Sequence, residues 1–258
     1  MGRATAEQLV ALGAEVHGLD IRPCPIELAD FHACDLARSD EIDSVVDDFD
    51  AGFDALFNCA GLPNSFPPVD IVKVNFIGMR HLTERVLPLL NPGASIATVA
   101  STAGFGYTQR IPTLVEFVST PDYAAAVAWC EAHRDDLREG YGFSKEAVIV
   151  WTMFCSNALI KRNIRINCTS PGPTSTPMYA EFEKASGKEF MDAYPRPIGR
   201  NATPEEQAHA LIFLNDGAAA SYITGHNLVV DGGWVAGMTM GQIDMTELMK
   251  LFAGSRGD

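Results

Sequence analysis

Short, continuous apolar runs alternate with helix-like stretches along this chain, and that alternation constrains its fold more than any other feature. The helix-like stretches span 39–48, 75–90, 141–161 and 204–214. The runs are GAEVHGLDI at 13–21, DALFNCAG at 54–61, ASIATVAS at 94–101, IRINCTSPG at 164–172 and HNLVVDGG at 226–233. Strands that are apolar throughout and are separated by helices are typical of a parallel sheet covered on both faces. The sequence therefore predicts an α/β fold built on a doubly wound parallel sheet.

Length and composition indicate one globular domain over residues 1–258. The chain is long enough to bury a full core, and it has no internal repeat, low-complexity segment or Gly/Ser linker. A net charge of -14 argues against nucleic acid, which needs clustered Lys and Arg. No apolar run approaches the roughly 20 residues of a membrane span, and no segment resembles a signal peptide. We therefore expect a cytoplasmic protein with neither nucleic-acid nor membrane partners.

The six cysteines predict neither a metal site nor a set of disulfides. They are scattered, without a C-x-x-C pair and without neighbouring histidine ligands. Such spacing suits neither zinc nor a disulfide framework. We expect most of these thiols to be buried, small hydrophobic groups in a reducing compartment, and we expect no metal.

Polar candidates follow several of the predicted strands. Asn58 lies near the end of DALFNCAG, Ser101 ends ASIATVAS, and SPGPTSTP at 170–177 follows a further strand. Asn75 is expected to open the helix over 75–90. The carboxyl ends of parallel strands meet at one edge of the sheet, where such sheets bind ligands. These side chains are therefore expected to share one site.

The sequence YGFSK places Tyr141 and Lys145 four residues apart, on one face of a predicted helix. A tyrosine with a pKa of about 10 is a poor acid or base at neutral pH. A neighbouring ammonium group stabilises the phenolate and lowers that pKa toward the working range. The pair is therefore a candidate for proton transfer.

Several motifs occur in order from residue 2 to about residue 235. They are DL at 35–36, NCAG at 58–61, VNFIG at 74–78, Ser101, YGFSK at 141–145, PGPTSTP at 171–177 and VVDGG at 229–233. Together they resemble the short-chain dehydrogenase/reductase superfamily. The resemblance implies a Rossmann-type fold, a nicotinamide cofactor and a small-molecule alcohol or carbonyl substrate.

Four residues are implied by this resemblance to carry the chemistry. Tyr141 would exchange a proton with the substrate oxygen, and Ser101 would hydrogen-bond to that same oxygen. Lys145 would lower the pKa of Tyr141 and bind the hydroxyls of the nicotinamide ribose. Asn75 would hold a water that links Lys145 to solvent. The cofactor carries the hydride, while the protein supplies orientation and a path for the proton.

The resemblance also implies a cofactor site along the same edge. Asp20 ends the second strand of the family pattern, where a carboxylate accepts hydrogen bonds from the adenosine ribose and repels a 2′-phosphate. NAD is therefore favoured over NADP, although Arg22 opposes this preference. The residues implied in cofactor binding are Gly2, Asp20, Asp35, Leu36, Asn58, Ala60, Gly61, Tyr141, Lys145, Pro171, Gly172, Thr174 and Thr176.

A branch of the superfamily is indicated by the long segment at 103–140, GFSKEAVIVWTMFCSNAL at 142–159 and PGPTSTPM at 171–178. These features resemble the coniferyl-alcohol dehydrogenases and 3-alpha-hydroxysteroid dehydrogenases, which implies an aryl, allylic or steroid alcohol. Ser101 and Tyr141 are 40 residues apart, farther than in most members, so 103–140 is interpreted as an insertion near the substrate cleft or a subunit contact. Its aromatic residues either face the substrate or form a small core of their own; they are Phe105, Tyr107, Phe117 and Trp129.

The family pattern opens with an apolar strand and a T-G-x-x-x-G-x-G loop, whose backbone approaches the pyrophosphate. MGRATAEQL matches only the end of that loop, with Gly2 as its last glycine. We therefore expect the central strand, between those ending at Asp20 and Asn58, to be missing. Either Met1 is an internal methionine of a longer reading frame, which we favour, or the chain is truly short and binds cofactor poorly.

Three functional hypotheses remain open on the sequence. The leading one is an NAD-dependent alcohol dehydrogenase. The incomplete loop leaves a second, a non-catalytic protein of this fold that acts by ligand binding or assembly. A third is a cofactor-free lyase similar to the halohydrin dehalogenases, which carry Arg where this chain has Lys145.

Assembly is also implied by the resemblance. The superfamily forms dimers and tetramers through the helices that carry Asn75 and Tyr141 and through the last strand. We therefore expect a homodimer or homotetramer. The tail after Gly233 contains methionines that are expected to add to such a contact; they are Met238, Met240, Met245 and Met249.

Overall fold

Parallel strands form the centre of the fold, as the apolar runs predict. The computed structural model describes residues 1–50, 52–244 and 246. Its strands are β1 (His17–Asp20), β2 (Asp30–Ala33), β3 (Phe53–Asn58), β4 (Leu90–Val99), β5 (Arg165–Pro171) and β6 (Asn227–Val230). Every strand pair is parallel. The predicted α/β fold with a parallel sheet is therefore confirmed.

Helices connect the strands and cover them. They are α1 (Gly2–Ala11), α2 (Ser39–Asp47), α3 (Pro68–Val72), α4 (Met79–Val86), α5 (Ile111–Val118), α6 (Tyr123–Ala132), α7 (Arg134–Leu137), α8 (Tyr141–Ile160), α9 (Pro177–Ser186), α10 (Lys188–Ala193), α11 (Pro204–Asn215) and α12 (Trp234–Thr239). A π-helix over Lys73–Gly78 joins α3 to α4, and 3-10 helices cover Leu87–Leu89 and Thr102–Gln109. None of the helices in the described ranges combines the length and apolar character needed to cross a membrane.

The sheet is divided into two parts. β3, β4, β5 and β6 pair in that order, whereas β1 and β2 pair with each other. Within the described residues, β1 and β3 share no ladder of backbone hydrogen bonds. This is the arrangement expected if no strand lies between those that end at Asp20 and Asn58.

The core lies on both faces of β4 and β5. All of β5 is buried, because α8 packs on one side of it and α11 on the other. Ile96 of β4, Ile149 of α8 and Ile166 of β5 are fully buried in one cluster, while Leu211 of α11 packs with Ala97 of β4 in a second. Burial on both faces explains why these strands show no alternation of buried and exposed positions; the polar side chains of β5, such as Asn167 and Thr169, are buried as well.

Two elements differ from the sequence-based expectation. The helix expected to open at Asn75 begins at Pro68, so Asn75 lies inside it, in the π-helical turn. Proline is favoured in a first helical turn because its missing N–H is not needed there, and Pro68 stands in that turn. β2 was not predicted, because DFHA is short and half polar and lacks the apolar run of the other strands.

The segment 103–140 contains the three helices α5, α6 and α7. Phe117 and Trp129 are buried, and both rings contact Phe143 of α8. These two aromatics therefore belong to the core. Phe105 and Tyr107 are half-buried in the 3-10 helix that follows Ser101.

The tail after Gly233 is described only in part. Met238 lies in α12, and Met240 is exposed. Met245 and Met249 lie outside the described residues, so the contact expected of them stays a prediction.

Candidate active site

The first turn of α8 brings Tyr141 and Lys145 together. Gly140 precedes the helix with a φ of 81°, and a Cβ there would lie 2.6 Å from the carbonyl oxygen of Pro68. Only glycine suits both conditions, so α8 begins close against α3. Lys145 is buried and its Nζ donates to the carbonyl of Val99, at the end of β4, over 2.8 Å. The same Nζ lies 5.7 Å from the centroid of the Tyr141 ring.

Ser101 lies beside this pair because it follows β4 directly. Its backbone is extended, and its hydroxyl accepts a hydrogen bond from the amide of Ala103, which caps the 3-10 helix. Ser101 also lies close enough to the hydroxyl of Tyr141 to lower the pKa of that group. A strand end and a helix start therefore present two hydroxyl groups at one point.

Asn75 reaches the site from the π-helical turn. Its Oδ1 accepts from the amide of Leu62 over 2.6 Å, and its Nδ2 donates to the Leu62 carbonyl and to Ser144 Oγ. A Cβ on Gly61 would lie 3.0 Å from Asn75 Oδ1 and 3.8 Å from Lys145 Nζ. Asn75 thus holds the loop after β3 against α8. Its role in binding a water stays a prediction.

Burial shifts the pKa of both groups of the proton-transfer pair. It lowers the pKa of Lys145 to about 8, because an ammonium ion is poorly solvated there. It raises the pKa of Tyr141, and the hydrogen bond from Ser101 opposes that shift. The resemblance implies that Lys145 lowers the pKa of Tyr141; in this structure burial dominates and the opposing contribution comes from Ser101.

Three glycines of the predicted cofactor edge are in close contact with neighbouring residues. Gly2 begins α1, and a Cβ there would lie 3.0 Å from the Cβ of Cys59, next to Asn58. A Cβ on Gly172 would lie 2.9 Å from the Cα of Asp231. With Gly61, these positions bring backbone rather than side chains to the carboxyl ends of β3 and β5.

Acidic and apolar residues of this edge differ in exposure. Asp20 is exposed at the end of β1, and its carboxylate accepts from the amide of Arg22 over 3.0 Å. Asp35 accepts from the amide of Ala37, and Ala60 is exposed. Leu36 is buried, with its carbonyl against Gly78 at the start of α4.

Other predicted cofactor residues use their side chains or backbone within the fold. Asn58 is buried and donates to Thr83 and Thr98, which ties β3 to α4 and β4. Thr174 donates to the Gly172 carbonyl, and Thr176 caps α9 by accepting from Tyr179. The carbonyl of Pro171 accepts from Thr102. The side chain of Asn58 therefore holds the sheet together, and cofactor contacts from these residues stay predictions.

Two aromatic residues near Tyr141 lie outside every motif used in the sequence analysis. Phe182 of α9 contacts the Tyr141 ring edge-to-face, with centroids 4.9 Å apart. Tyr194 follows α10, and its ring lies 4.9 Å from that of Trp234. Burial raises the pKa of Tyr194 to about 12, so it stays neutral. No local sequence signal marks either residue, because only the return of α9 and α10 over the sheet edge brings them there.

The donor set at this edge fits a nicotinamide cofactor. Among the described residues, the Val99 carbonyl is the one hydrogen-bond acceptor of Lys145, and an ammonium group has three donors. Buried donors normally have partners, so the remaining two suit the paired hydroxyls of a ribose. The exposed carboxylate of Asp20 suits the hydroxyls of a second ribose.

Two family models match the chain. A model described as "Enoyl-(Acyl carrier protein) reductase" matches residues 131–235, and one described as "NAD dependent epimerase/dehydratase family" matches residues 1–157. Together the two matches extend from the first residue to Val235.

Two curated proteins and one solved structure are similar over nearly the whole chain. Coniferyl-alcohol dehydrogenase of Pseudomonas sp. (strain HR199 / DSM 7063) is 32% identical over 234 residues, which cover 90% of this chain and 91% of that protein. The 3-alpha-hydroxysteroid dehydrogenase/carbonyl reductase of Comamonas testosteroni is 29% identical over 239 residues, with the same coverage. The 3-alpha-hydroxysteroid dehydrogenase of Pseudomonas sp. B-0831, solved with NADH, has a TM-score of 0.77 at 26% identity and covers 94% of this chain and 95% of its own.

Proposed function

The chain belongs to the short-chain dehydrogenase/reductase superfamily, and on that premise we propose that it is an NAD-dependent oxidoreductase that interconverts an alcohol and its carbonyl compound by hydride transfer. The general oxidoreductase role is shared with the alcohol and hydroxysteroid dehydrogenases it is similar to. The cofactor and the substrate class are the parts that we propose.

One observation carries the proposal: the hydroxyls of Tyr141 and Ser101 meet beside Lys145 at the carboxyl edge of the sheet. Because burial raises its pKa, Tyr141 is protonated near neutral pH and can donate its proton to a carbonyl oxygen. Ser101, whose hydroxyl lies beside that of Tyr141, can hold the same substrate oxygen. A bound nicotinamide would supply or accept the hydride.

NAD rather than NADP is proposed on the chemistry of Asp20. An exposed carboxylate at the end of β1 accepts hydrogen bonds from ribose hydroxyls and repels a 2′-phosphate. Lys145 would hold the nicotinamide ribose with the donors that the Val99 carbonyl leaves free. The two solved structures with NADH named among the similar chains, a hydroxysteroid dehydrogenase and a 3-ketoacyl-(acyl-carrier-protein) reductase from Brucella melitensis, support a nicotinamide cofactor.

An aryl, allylic or steroid alcohol is the proposed substrate class. The names of the similar proteins support it, and so do the rings of Phe182 and Tyr194 near Tyr141, which offer a bulky apolar surface. The proposal includes a cytoplasmic location, which the free thiols of the cysteines support. It also includes assembly as a homodimer or homotetramer, as the superfamily commonly forms.

The first test is a fluorescence titration of the purified chain with NADH, followed by absorbance assays with coniferyl alcohol and 3-alpha-hydroxysteroids. We expect saturable binding and turnover of one of these alcohols with NAD. Absence of NADH binding would contradict the proposal and favour the non-catalytic alternative.

Tyr141→Phe tests the assigned proton transfer. Loss of the hydroxyl is expected to lower kcat by about 100-fold or more, because positioned acids and bases contribute roughly that much, while NADH binding persists. Tyr222→Phe is the matched control, since Tyr222 is fully exposed. Equal turnover in wild type and Tyr141→Phe would remove Tyr141 from the mechanism.

A further inference from the structure

Two histidines and an aspartate meet on one face of the β1–β2 pair. The register places His17 opposite Asp30 and Leu19 opposite His32. Side chains two residues apart on a strand share a face, so His17, Asp30 and His32 all project to the same side. One ligating atom from each lies within 4.8 Å of the others.

The two imidazoles contain buried nitrogens that have no hydrogen-bond partner. Nδ1 of His17 and Nε2 of His32 are both inaccessible to solvent, and neither makes a hydrogen bond. Buried polar atoms are normally paired, so two of them side by side need an explanation. A metal ion is the ligand that accepts such lone pairs from neighbouring imidazoles.

The carboxylate of Asp30 also lies close to one of these two nitrogens. Asp30 Oδ2 lies 3.0 Å from His32 Nε2, yet that nitrogen makes no hydrogen bond. The other oxygen, Oδ1, accepts from the amide of Phe31 over 2.7 Å, which fixes the carboxylate. The two atoms are therefore close enough to bind one metal ion together, and no hydrogen bond between them has to be broken.

The surroundings are apolar on one side and acidic on the other. The ring of His32 lies 4.9 Å from that of Phe49, and the ring of His17 lies 5.3 Å from that of Phe53, both edge-to-face. His17 Nε2 is 3.5 Å from a carboxylate oxygen of Glu15. An apolar shell orients ligands and excludes water, and a carboxylate beside the other ring nitrogen of a ligating histidine fixes the orientation of that ring.

We infer that His17, Asp30 and His32 form a binding site for one divalent transition-metal ion. Two imidazoles and a carboxylate are a common zinc ligand set. With metal–ligand bonds of about 2.0 Å, tetrahedral ligand atoms lie about 3.3 Å apart. Small side-chain rotations therefore close the cluster around Zn²⁺.

The site has a structural rather than a catalytic role. His17 and Asp30 begin their strands, at the end of the sheet opposite to Asp20 and the Tyr141 edge. A metal ion here would hold β1 and β2 together. Within the described residues, this pair forms no backbone hydrogen bonds of a β-ladder with the larger sheet. An ion that binds only the folded chain stabilises it by mass action.

The test begins with chelator-treated protein titrated with Co²⁺ and, separately, with Zn²⁺ by calorimetry. We expect one equivalent to bind, and we expect Co²⁺ to give visible ligand-field bands without the strong near-ultraviolet band of thiolate coordination. Zn²⁺ should also raise Tm. Absence of binding, or a thiolate band that identifies cysteine ligands, would overturn the inference.

Single variants assign the ligands. His17→Gln and His32→Gln are each expected to weaken binding by about 100-fold or more, since even partners of ligands cost 10–100-fold. His209→Gln, on the exposed face of α11, is the matched control and should bind like wild type. Unchanged affinity in either cluster variant would overturn the assignment.

If a variant does not fold, a second measurement on the wild-type chain tests whether His17 and His32 bind the metal ion. Diethyl pyrocarbonate modifies free imidazoles, and peptide mass mapping locates the modified residues. Zn²⁺ should protect His17 and His32 while leaving His209 reactive. Equal modification of His17 and His32 with and without Zn²⁺ would contradict the proposed site.

Discussion

Lys145 is a cation held in a buried position, with the Val99 carbonyl as its acceptor among the described residues. Its pKa falls from 10.5 to about 8 because burial disfavours the ammonium form, while Cys59 and Cys168 oppose the shift. When folding lowers the pKa of a basic group, its protonated form is disfavoured in the folded state. The free energy of unfolding is therefore reduced at pH values below the pKa of the unfolded chain. That cost grows as pH falls from 10.5 to about 8 and is fully present below pH 8. Burial of Lys145 therefore lowers the free energy of unfolding at neutral pH.

Lys145→Met removes this buried charge while keeping the side chain's length. We expect a higher Tm at pH 7, since the shift in pKa corresponds to roughly 3 kcal/mol before the lost hydrogen bond is subtracted. We also expect weaker NADH binding and loss of turnover. Differential scanning calorimetry and the NADH titration measure both, with exposed Lys161→Met as control. A lower Tm in Lys145→Met would show that its hydrogen bond outweighs the cost of burial.

Tyr141 has the opposite shift, and this predicts a pH dependence. Because its pKa is raised, the phenolate is a minor form at neutral pH and increases with pH. Alcohol oxidation needs that form as a base, so kcat at saturating cofactor should rise about tenfold per pH unit between about pH 6 and 8. Carbonyl reduction uses the protonated hydroxyl of Tyr141, so its kcat should change little over the same pH range. A plateau in oxidation below pH 7 would contradict the raised pKa.

Between elements, close backbone contact positions α8, the helix that carries Tyr141 and Lys145. The 3-10 helix after Ser101 packs on α8 at Gly104, where a Cβ would lie 2.7 Å from the carbonyl carbon of Lys145. Backbone cannot yield as a flexible side chain does, so a methyl group there must displace α8. The position of Lys145 thus depends on a glycine 41 residues earlier in the chain.

Gly104→Ala is expected to lower stability by about 1–3 kcal/mol through overpacking and to reduce kcat by shifting α8. Gly217→Ala is the matched control, because nothing lies within 4 Å of a Cβ at Gly217. Urea unfolding and steady-state kinetics measure the two effects. Wild-type behaviour of Gly104→Ala would mean that the contact relaxes without cost.

An ion pair holds the segment 103–140 against α8. Arg110 contacts Glu146 of α8 over 3.2 Å, donates to the carbonyl of Asp136 and lies 5.1 Å above the ring of Phe143. Both side chains are largely buried. Removing one partner would leave an unpaired buried charge.

Arg110→Met is therefore expected to destabilise the protein by about 3–5 kcal/mol. The exposed pair of Arg134 and Glu131 serves as comparison, and Arg134→Met should change stability by less than about 1 kcal/mol. Thermal and urea unfolding give both values. Equal losses in the two variants would show that burial of the Arg110 pair adds nothing.

For the whole molecule, the division of the sheet predicts uneven protection of the backbone. β4 and β5 are paired on both sides and buried, whereas β1 and β2 pair only with each other within the described residues. Backbone amides in small, partly exposed units exchange by local opening rather than global unfolding. Hydrogen exchange should therefore be faster in β1 and β2 than in β4 and β5. Equal protection factors would indicate that the two sheets open as one unit.

Local sequence patterns were sufficient to predict several elements of this protein. The i,i+4 spacing of Tyr141 and Lys145 places them on one helix face, and Pro204 with the capping box of Thr203 and Glu206 begins α11 where predicted. The runs at 94–101 and 164–172 identify β4 and β5, because strands buried on both faces have no exposed, polar alternate positions. These features depend on neighbours in sequence, so the sequence by itself determined them.

Long-range packing determined the features that local sequence patterns did not predict. β2 is too short and polar to be predicted, yet its pairing with β1 brings His17, Asp30 and His32 together. Phe182 reaches Tyr141 only because α9 returns over the sheet edge. Asn58 bonds inside the fold to Thr83 and Thr98, which lie 25 and 40 residues away. Such contacts join residues that no local period relates, so only the tertiary structure, which closes those distances through the buried core, could determine them.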